Sequence, residues 1–218
     1  MVARSNDVDD NFFTPRDYQV ELVEKACQGN IIIPLGTGSG KTFIAVLVIK
    51  NYVGQLVVPI SRGGKRAFFL VDKVSLVDQQ ATHIECHVTV AVGRMHGSLN
   101  VDVWSDKSKF DIFIEQHQVV VLTAQIFLDL IDHGYWSLND TALIVLDECH
   151  HVLGSKHAYR QIMNHYSRME GDKPRIIGLT ASLINNKTPP SSLEQALIKL
   201  ETIMDCSIET ASSLVSVS

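Results

Sequence analysis

The sequence predicts an α/β domain with a mainly parallel central sheet and helices on both faces. Three observations carry that prediction. Short runs rich in Ile, Val and Phe recur along the chain and are continuous rather than alternating, as strands buried on both faces are. Helix-length segments with apolar residues three and four apart lie between them. The regular alternation of the two kinds implies parallel strands joined by crossover helices.

Taken in order, Thr14-Pro15 is a helix start, with a capping hydroxyl and proline at the first helical position. Arg16 to Cys27 then places Val20, Val23 and Ala26 on one side. A strand over Asn30 to Leu35 precedes a helix over Thr42 to Tyr52, and a second strand, Ala67 to Val71, follows the loop Ser61 to Lys65. Val74 to His83 reads as a helix, Val88 to Val92 as the third strand, and Asn100 to Gln118 as a helix on the strength of Trp104, Phe110, Phe113 and Ile114. Strands at Val119 to Thr123, Ala142 to Leu146 and Ile176 to Leu179 alternate with helices at Ile126 to Ile131, Ala158 to Met169 and Leu193 to Met204. Asn185 to Ser192, with Pro189 and Pro190, is a loop.

Composition narrows the function classes. The chain has 218 residues, 45% hydrophobic and 20% charged, enough for one large domain with a full core. A formal charge of −5 excludes a global basic field, so any polyanion must be gripped locally. Four widely spaced cysteines without a CxxC pair suggest reduced thiols. Met1 to Phe13 does not read as a signal peptide, and no apolar run is long enough to span a bilayer. The expected location is cytoplasmic, with no membrane partner.

Two motifs carry chemistry. The first strand runs into Gly36-Thr37-Gly38-Ser39-Gly40-Lys41-Thr42 and then into a helix, the setting of a phosphate-binding loop. The glycines let successive N–H groups point inward, and the helix adds its positive end. Lys41 is expected at the β and γ phosphates and the Thr42 hydroxyl on Mg²⁺. The general pattern has glycine where this chain has Leu35, so the strict match fails by one residue.

Asp147-Glu148-Cys149-His150 follows a predicted strand, and carboxylates at the tip of a parallel strand lie where open α/β sheets bind ligands. Asp147 is expected to hold Mg²⁺, and Glu148 to orient and deprotonate the attacking water. A transition-metal site in this stretch is disfavoured, because adjacent residues cannot all aim at one tetrahedral centre.

With these motifs the chain resembles superfamily 2 DExD/H helicases, and the first helicase lobe of the Dicer family in particular. The likeness rests on TPRDYQVEL (Thr14 to Leu22), TGSGKTFIAV (Thr37 to Val46), GGKRAFFL (Gly63 to Leu70), LTAQIFL (Leu122 to Leu128), DECHH (Asp147 to His151) and RIIGLTAS (Arg175 to Ser182). Among Dicers, TAQIFLDL and DECHH look most like arthropod sequences.

The resemblance implies a RecA-like P-loop NTPase lobe over residues 11–206, after a flexible extension at 1–10 and before a segment at 207–218 leading to a second lobe. It implies ATP and Mg²⁺ as cofactors, with Arg16 stacking on the base and Gln19 reading its edge. Gly36 to Thr42 and Asp147 would bind the nucleotide and metal, with Lys41 and Glu148 catalytic. His150, Thr180 and Ser182 would couple nucleotide state to lobe movement, and Lys73, Arg94 and Thr123 would contact the RNA backbone. Sequence-blind contacts of that kind position a duplex without specifying it.

The implied partners are double-stranded RNA, the second helicase lobe, downstream Dicer domains and a double-stranded-RNA-binding accessory protein. The implied activity is RNA-coupled ATP hydrolysis in RNA silencing, with ribonuclease III chemistry belonging to other domains. Three other readings stay open: an antiviral RNA-sensor helicase, a fragment that binds without turnover, and a small-molecule P-loop kinase.

Overall fold

A computed structural model describes residues 14–97, 106–183 and 193–212. Among the described residues seven strands form one sheet: β1 (Ile31–Pro34), β2 (Arg66–Val71), β3 (Val92–Met95), β4 (Val119–Thr123), β5 (Thr141–Leu146), β6 (Arg175–Thr180) and β7 (Ser207–Ile208). Their spatial order is β3-β4-β2-β5-β6-β1-β7, and every pairing is parallel. The helices are α1 (Asp17–Gln28), α2 (Lys41–Leu56), α3 (Val74–Glu85), α4 (Lys107–Gln116), α5 (Ala124–Asp132), α6 (Ala158–Ser167) and α7 (Leu193–Met204).

Strand periodicity sorts the core into two halves. On β2, Ala67, Phe69 and Val71 join α1, α2 and α3 residues such as Leu22, Ile44 and Val77 on one face. Phe68 and Leu70 join Phe110, Phe127, Tyr159 and Leu200 on the other. Successive side chains of a strand point to opposite faces, so an unbroken apolar run is what a sheet covered twice requires. All strands end at the same edge, where their C-terminal loops gather.

The expected α/β class with a mainly parallel sheet is therefore the observed one. Local differences have physical causes. The third strand lies at Val92–Met95 rather than Val88 to Val92, because pairing with β4 starts at Val92 opposite Val119. Val88 instead closes the end of α3 by donating to the Ile84 carbonyl at 3.1 Å. The helix expected within Asn100 to Gln118 starts at Lys107, where the Asp106 carboxylate caps the Ser108 N–H at 2.9 Å; Trp104 lies outside the described residues. The loop Asn185 to Ser192, and the extension 1–10, also lie outside them.

At the other end, β7 pairs with β1, and Ser212 donates to the Glu21 carboxylate at 3.0 to 3.1 Å. The folded unit thus continues past Cys206, the expected boundary.

Arg66 was not singled out by its sequence. It opens β2 and is 1% exposed. Its guanidinium donates to the carbonyls of Ile114 (2.9 Å), Leu56 (3.1 Å), Val58 (3.0 Å) and Lys65 (3.1 Å). One side chain thereby ties the ends of α2 and α4 to the start of β2.

Candidate nucleotide site

The loop after β1 is shaped by its glycines. Gly38 and Gly40 have φ of 79° and 81°, the left-handed region that favours glycine. At Gly40 space is short as well, since a Cβ there would come within 2.5 Å of Gln19 Nε2. Gly40 caps α2, so the loop delivers the helix N-terminus to the sheet edge. Lys41 Nζ folds back over the loop, donating to the carbonyls of Leu35 (2.7 Å) and Gly36 (3.3 Å). Leu35, in place of the pattern's glycine, is buried in the core, and its N–H bonds the Thr180 carbonyl at 3.0 Å.

The start of α1 is pinned to this loop. Gln19 is buried, and its carbonyl oxygen accepts the Arg16 N–H at 2.9 Å. Tyr18, not expected from the sequence, donates its hydroxyl to the Ser39 carbonyl at 2.6 Å. An exposed Arg16 and a fixed Gln19 therefore stand beside the phosphate loop.

Asp147 follows β5 and is 8% exposed. Burial, reinforced by repulsion from Glu148, pushes its pKa up to about 6, although the Glu148 N–H and Lys41 favour its charge. Gln80 of α3 lies against it, Nε2 to Oδ2, at 3.4 Å. Glu148 has φ 50° and ψ 50°, a conformation that costs of order 1–3 kcal/mol in a non-glycine residue. The turn is held by Glu148 N–H donating to Asp147 Oδ1 (3.1 Å) and His151 N–H donating to the Glu148 carbonyl (3.1 Å). Tyr159 braces it from below, its buried hydroxyl 2.8 Å from the Asp147 carbonyl and 3.0 Å from that of Leu70.

The DECHH side chains diverge, and among the described residues no group of His, Cys, Asp and Glu could hold a metal by itself. Cys149 is buried against β6, and burial raises its thiol pKa far beyond the usual range. His157 Nε2 lies 2.9 Å from Asp72, which also faces His151 at 3.8 Å. His150 meets Thr180 instead. The Thr180 hydroxyl donates to the Ser182 carbonyl at 2.6 Å, so toward His150 Nδ1 at 2.9 Å it is an acceptor and Nδ1 carries the proton. Glu148 Oε2 joins this cluster through the Ala181 N–H at 3.3 Å and lies 3.4 Å from His150 Nδ1.

These elements border one cleft in two contiguous parts, of about 500 and 700 Å³. Thr14, Arg16 and Gln19 line the first, while Thr37, Lys41, Thr42, Asp147 and Glu148 line the second. Gly38, Gly40, Phe43, His83, Cys86 and His87 line both, and the last four were not foreseen.

The three expected RNA contacts sit at the C-terminal ends of adjacent strands β2, β3 and β4, but in unlike states. Lys73 is exposed. Thr123 is 8% exposed. Arg94 is engaged with Glu85 at 2.6 Å, Asp78 at 3.7 Å and the Thr82 hydroxyl at 3.2 Å, so it could reach a phosphate only by leaving α3.

Comparison with known proteins decides the family. The family described as "Type III restriction enzyme, res subunit" matches residues 12–185. The chain belongs to that family, as a helicase lobe of Dicer type. It is 55% identical over 208 residues to "Endoribonuclease dcr-1" of Caenorhabditis elegans, covering 94% of this chain and 11% of that protein. It is 42% identical to "Endoribonuclease Dicer" of Gallus gallus, covering 95% of this chain and 11% of that one. The lobe therefore spans about a ninth of these relatives' length. The relative at 55% is a nematode protein, whereas the motifs were likened to arthropod sequences.

Among solved structures, the Pyrococcus furiosus Hef helicase domain aligns with 91% of this chain and 38% of its own, at a TM-score of 0.69 and 26% identity. The RecA-like fold expected from the motifs is the fold shared with that helicase domain, one that binds nucleotides. Among the described residues no helix is long and apolar enough to cross a membrane.

Proposed function

We propose that this lobe binds Mg·ATP in the cleft and, joined to a second helicase lobe, couples ATP hydrolysis to the handling of double-stranded RNA in RNA silencing. The observation that carries the reading is that Arg16 and Gln19, the phosphate loop, and Asp147 and Glu148 all border the same cleft.

In this reading, Arg16 and Gln19 hold the adenine and Gly36 to Gly40 wrap the phosphates with backbone N–H groups. Lys41 leaves the Leu35 and Gly36 carbonyls for the β and γ phosphate oxygens. Thr42 and Asp147 fit a magnesium site: they line the same part of the cleft, and Asp147 is a carboxylate that burial has made costly to ionise without a cation. Bound there, Mg²⁺ would offset the phosphate charge.

Glu148 accepts the proton of a water attacking the γ phosphorus, as the bond to the β,γ-bridging oxygen breaks and ADP leaves. Its Oε2 is steadied by the Ala181 N–H and faces His150. Through His150 and Thr180 the general base is joined to Ser182, so a shift at the cleft is transmitted to the end of β6. Efficient turnover requires transition-state charge from the second lobe. Lys73, with Thr123 beside it and Arg94 once released, supplies the RNA-facing edge. The lobe is assigned to the cytoplasm, with downstream Dicer domains and a double-stranded-RNA-binding accessory protein as partners.

Glu148→Gln, made in a chain that includes the second lobe, tests the assignment. It should hold ATP within about twofold of wild type and lose RNA-stimulated hydrolysis by at least about 100-fold. Hydrolysis surviving the substitution, or ATP binding lost with it, removes Glu148 from this role.

A further inference from the structure

The part of the cleft nearest Arg16 has a wall that the proposed phosphate and metal chemistry does not use. Phe43 comes from the first turn of α2, His83 from the last turn of α3 and His87 from the turn that follows it, and all three border both parts of the cleft. The rings form one group: His83 and His87 have centroids 4.8 Å apart, and Phe43 meets His87 edge-on at 5.4 Å. His87 is fixed by its Nδ1 contact with the His83 carbonyl at 2.7 Å, and a carbonyl acceptor places the proton on Nδ1. His83 Nε2 is buried with no hydrogen-bond partner among the described residues. Burial, and then the neighbouring His87, lowers the pKa of His83, so its ring is neutral at neutral pH.

A wall of aromatic rings offers a triphosphate no fixed cation. It does suit a flat, uncharged heteroaromatic ring, through stacking and edge contacts. Arg16, which caps α1, and Gln19 in the first turn of that helix border the same space and offer a planar cation and an amide.

We infer that Phe43, His83 and His87 form a second wall of the nucleotide base slot, so that the base is gripped between α1 and α3. This rests on the cleft being the nucleotide site, and the two ideas separate experimentally. In the slot, α3 presents rings to the base while Gln80, one turn earlier, touches the proposed metal carboxylate. One helix thus senses both ends of the nucleotide.

The test is displacement of a fluorescent ATP analogue from the purified 218-residue chain by ATP and by inorganic tripolyphosphate, which has no base. His87→Ala should weaken ATP by about 5- to 10-fold, the low end of aromatic stacking on a base. Its tripolyphosphate affinity should stay within about twofold of wild type, since the phosphate loop is untouched. His87→Phe, which keeps a ring, should recover most of the ATP affinity, and Phe43→Leu should repeat the selective loss. An unchanged ratio of ATP to tripolyphosphate affinity in His87→Ala overturns the wall, as does equal loss of both ligands in a variant whose thermal melt is native. Lys41→Ala reports separately on the cleft: it should weaken both ligands, and a Lys41→Ala chain that binds both normally would overturn the site itself.

Discussion

Arg66→Ala should lower the unfolding free energy by about 3–5 kcal/mol, because it strands several buried backbone carbonyls at roughly 1–3 kcal/mol each. Single domains are stable by about 5–15 kcal/mol, so this loss is a large share of the total. The reason lies in the carbonyls. Ile114, Leu56 and Val58 each give an oxygen to this guanidinium at the ends of helices or in the following turn, where backbone acceptors have no helical partner. The Glu115 ion pair contributes little, being 3.6 Å long and 44% exposed on the acidic side. Urea denaturation should therefore find Glu115→Gln within about 1 kcal/mol of wild type. Lysine at position 66 should recover less than half the loss, because a point charge cannot fork to several acceptors. Equal damage from Glu115→Gln and Arg66→Ala would mean that the ion pair, not the carbonyl network, holds this corner.

Asp147→Asn should have opposite effects on stability and on ligand binding. The folded pKa of Asp147, about 6, lies above its ordinary value of 3.8. Above pH 6 the carboxylate is ionised in both states, and the folded chain bears the full cost of a buried charge. Between 6 and 3.8 the folded state takes up the proton first, so the cost fades as pH falls and is gone below 3.8. Asparagine avoids it throughout. The variant should thus be more stable than wild type at pH 8 by up to about 3 kcal/mol, with the difference vanishing near pH 4. Lys41 and Glu148 are the charges that face Asp147, one favouring its ionised form and one opposing it. Magnesium-dependent ATP binding should fall by at least about tenfold in the same variant, since a neutral amide oxygen replaces the anionic carboxylate ligand. A variant less stable than wild type at pH 8 would show that Asp147 serves the fold rather than the cleft.

Much of this was legible in the residues because local chemistry demanded it. Continuous apolar runs such as Ala142 to Leu146 mark a strand covered on both faces, and Gly38 and Gly40 occupy backbone positions that other residues rarely adopt. The less legible features depend on long-range meetings. Tyr159 reads as an ordinary core position on an amphipathic helix, yet its hydroxyl reaches the carbonyl behind Asp147. Arg66 looks like a surface charge at the start of a strand, and only its place between the ends of α2 and α4 reveals otherwise. Phe43 is about forty residues from His83 and His87, and the packing of α3 beside α2 brings them together. Arg94 is expected from its motif to contact the RNA backbone, and sequence spacing does not display the carboxylates of α3 that hold it.

The most direct test of the nucleotide site is calorimetric titration of Mg·ATP into the purified chain and into Lys41→Ala. Wild type should bind one equivalent with a dissociation constant in the micromolar to millimolar range, and Lys41→Ala should weaken it by at least about 30-fold, as removal of a buried charge-assisted contact to phosphate does. Identical titrations of wild type and Lys41→Ala, or no heat of binding from wild type at millimolar ATP, would contradict the assignment of this cleft to ATP.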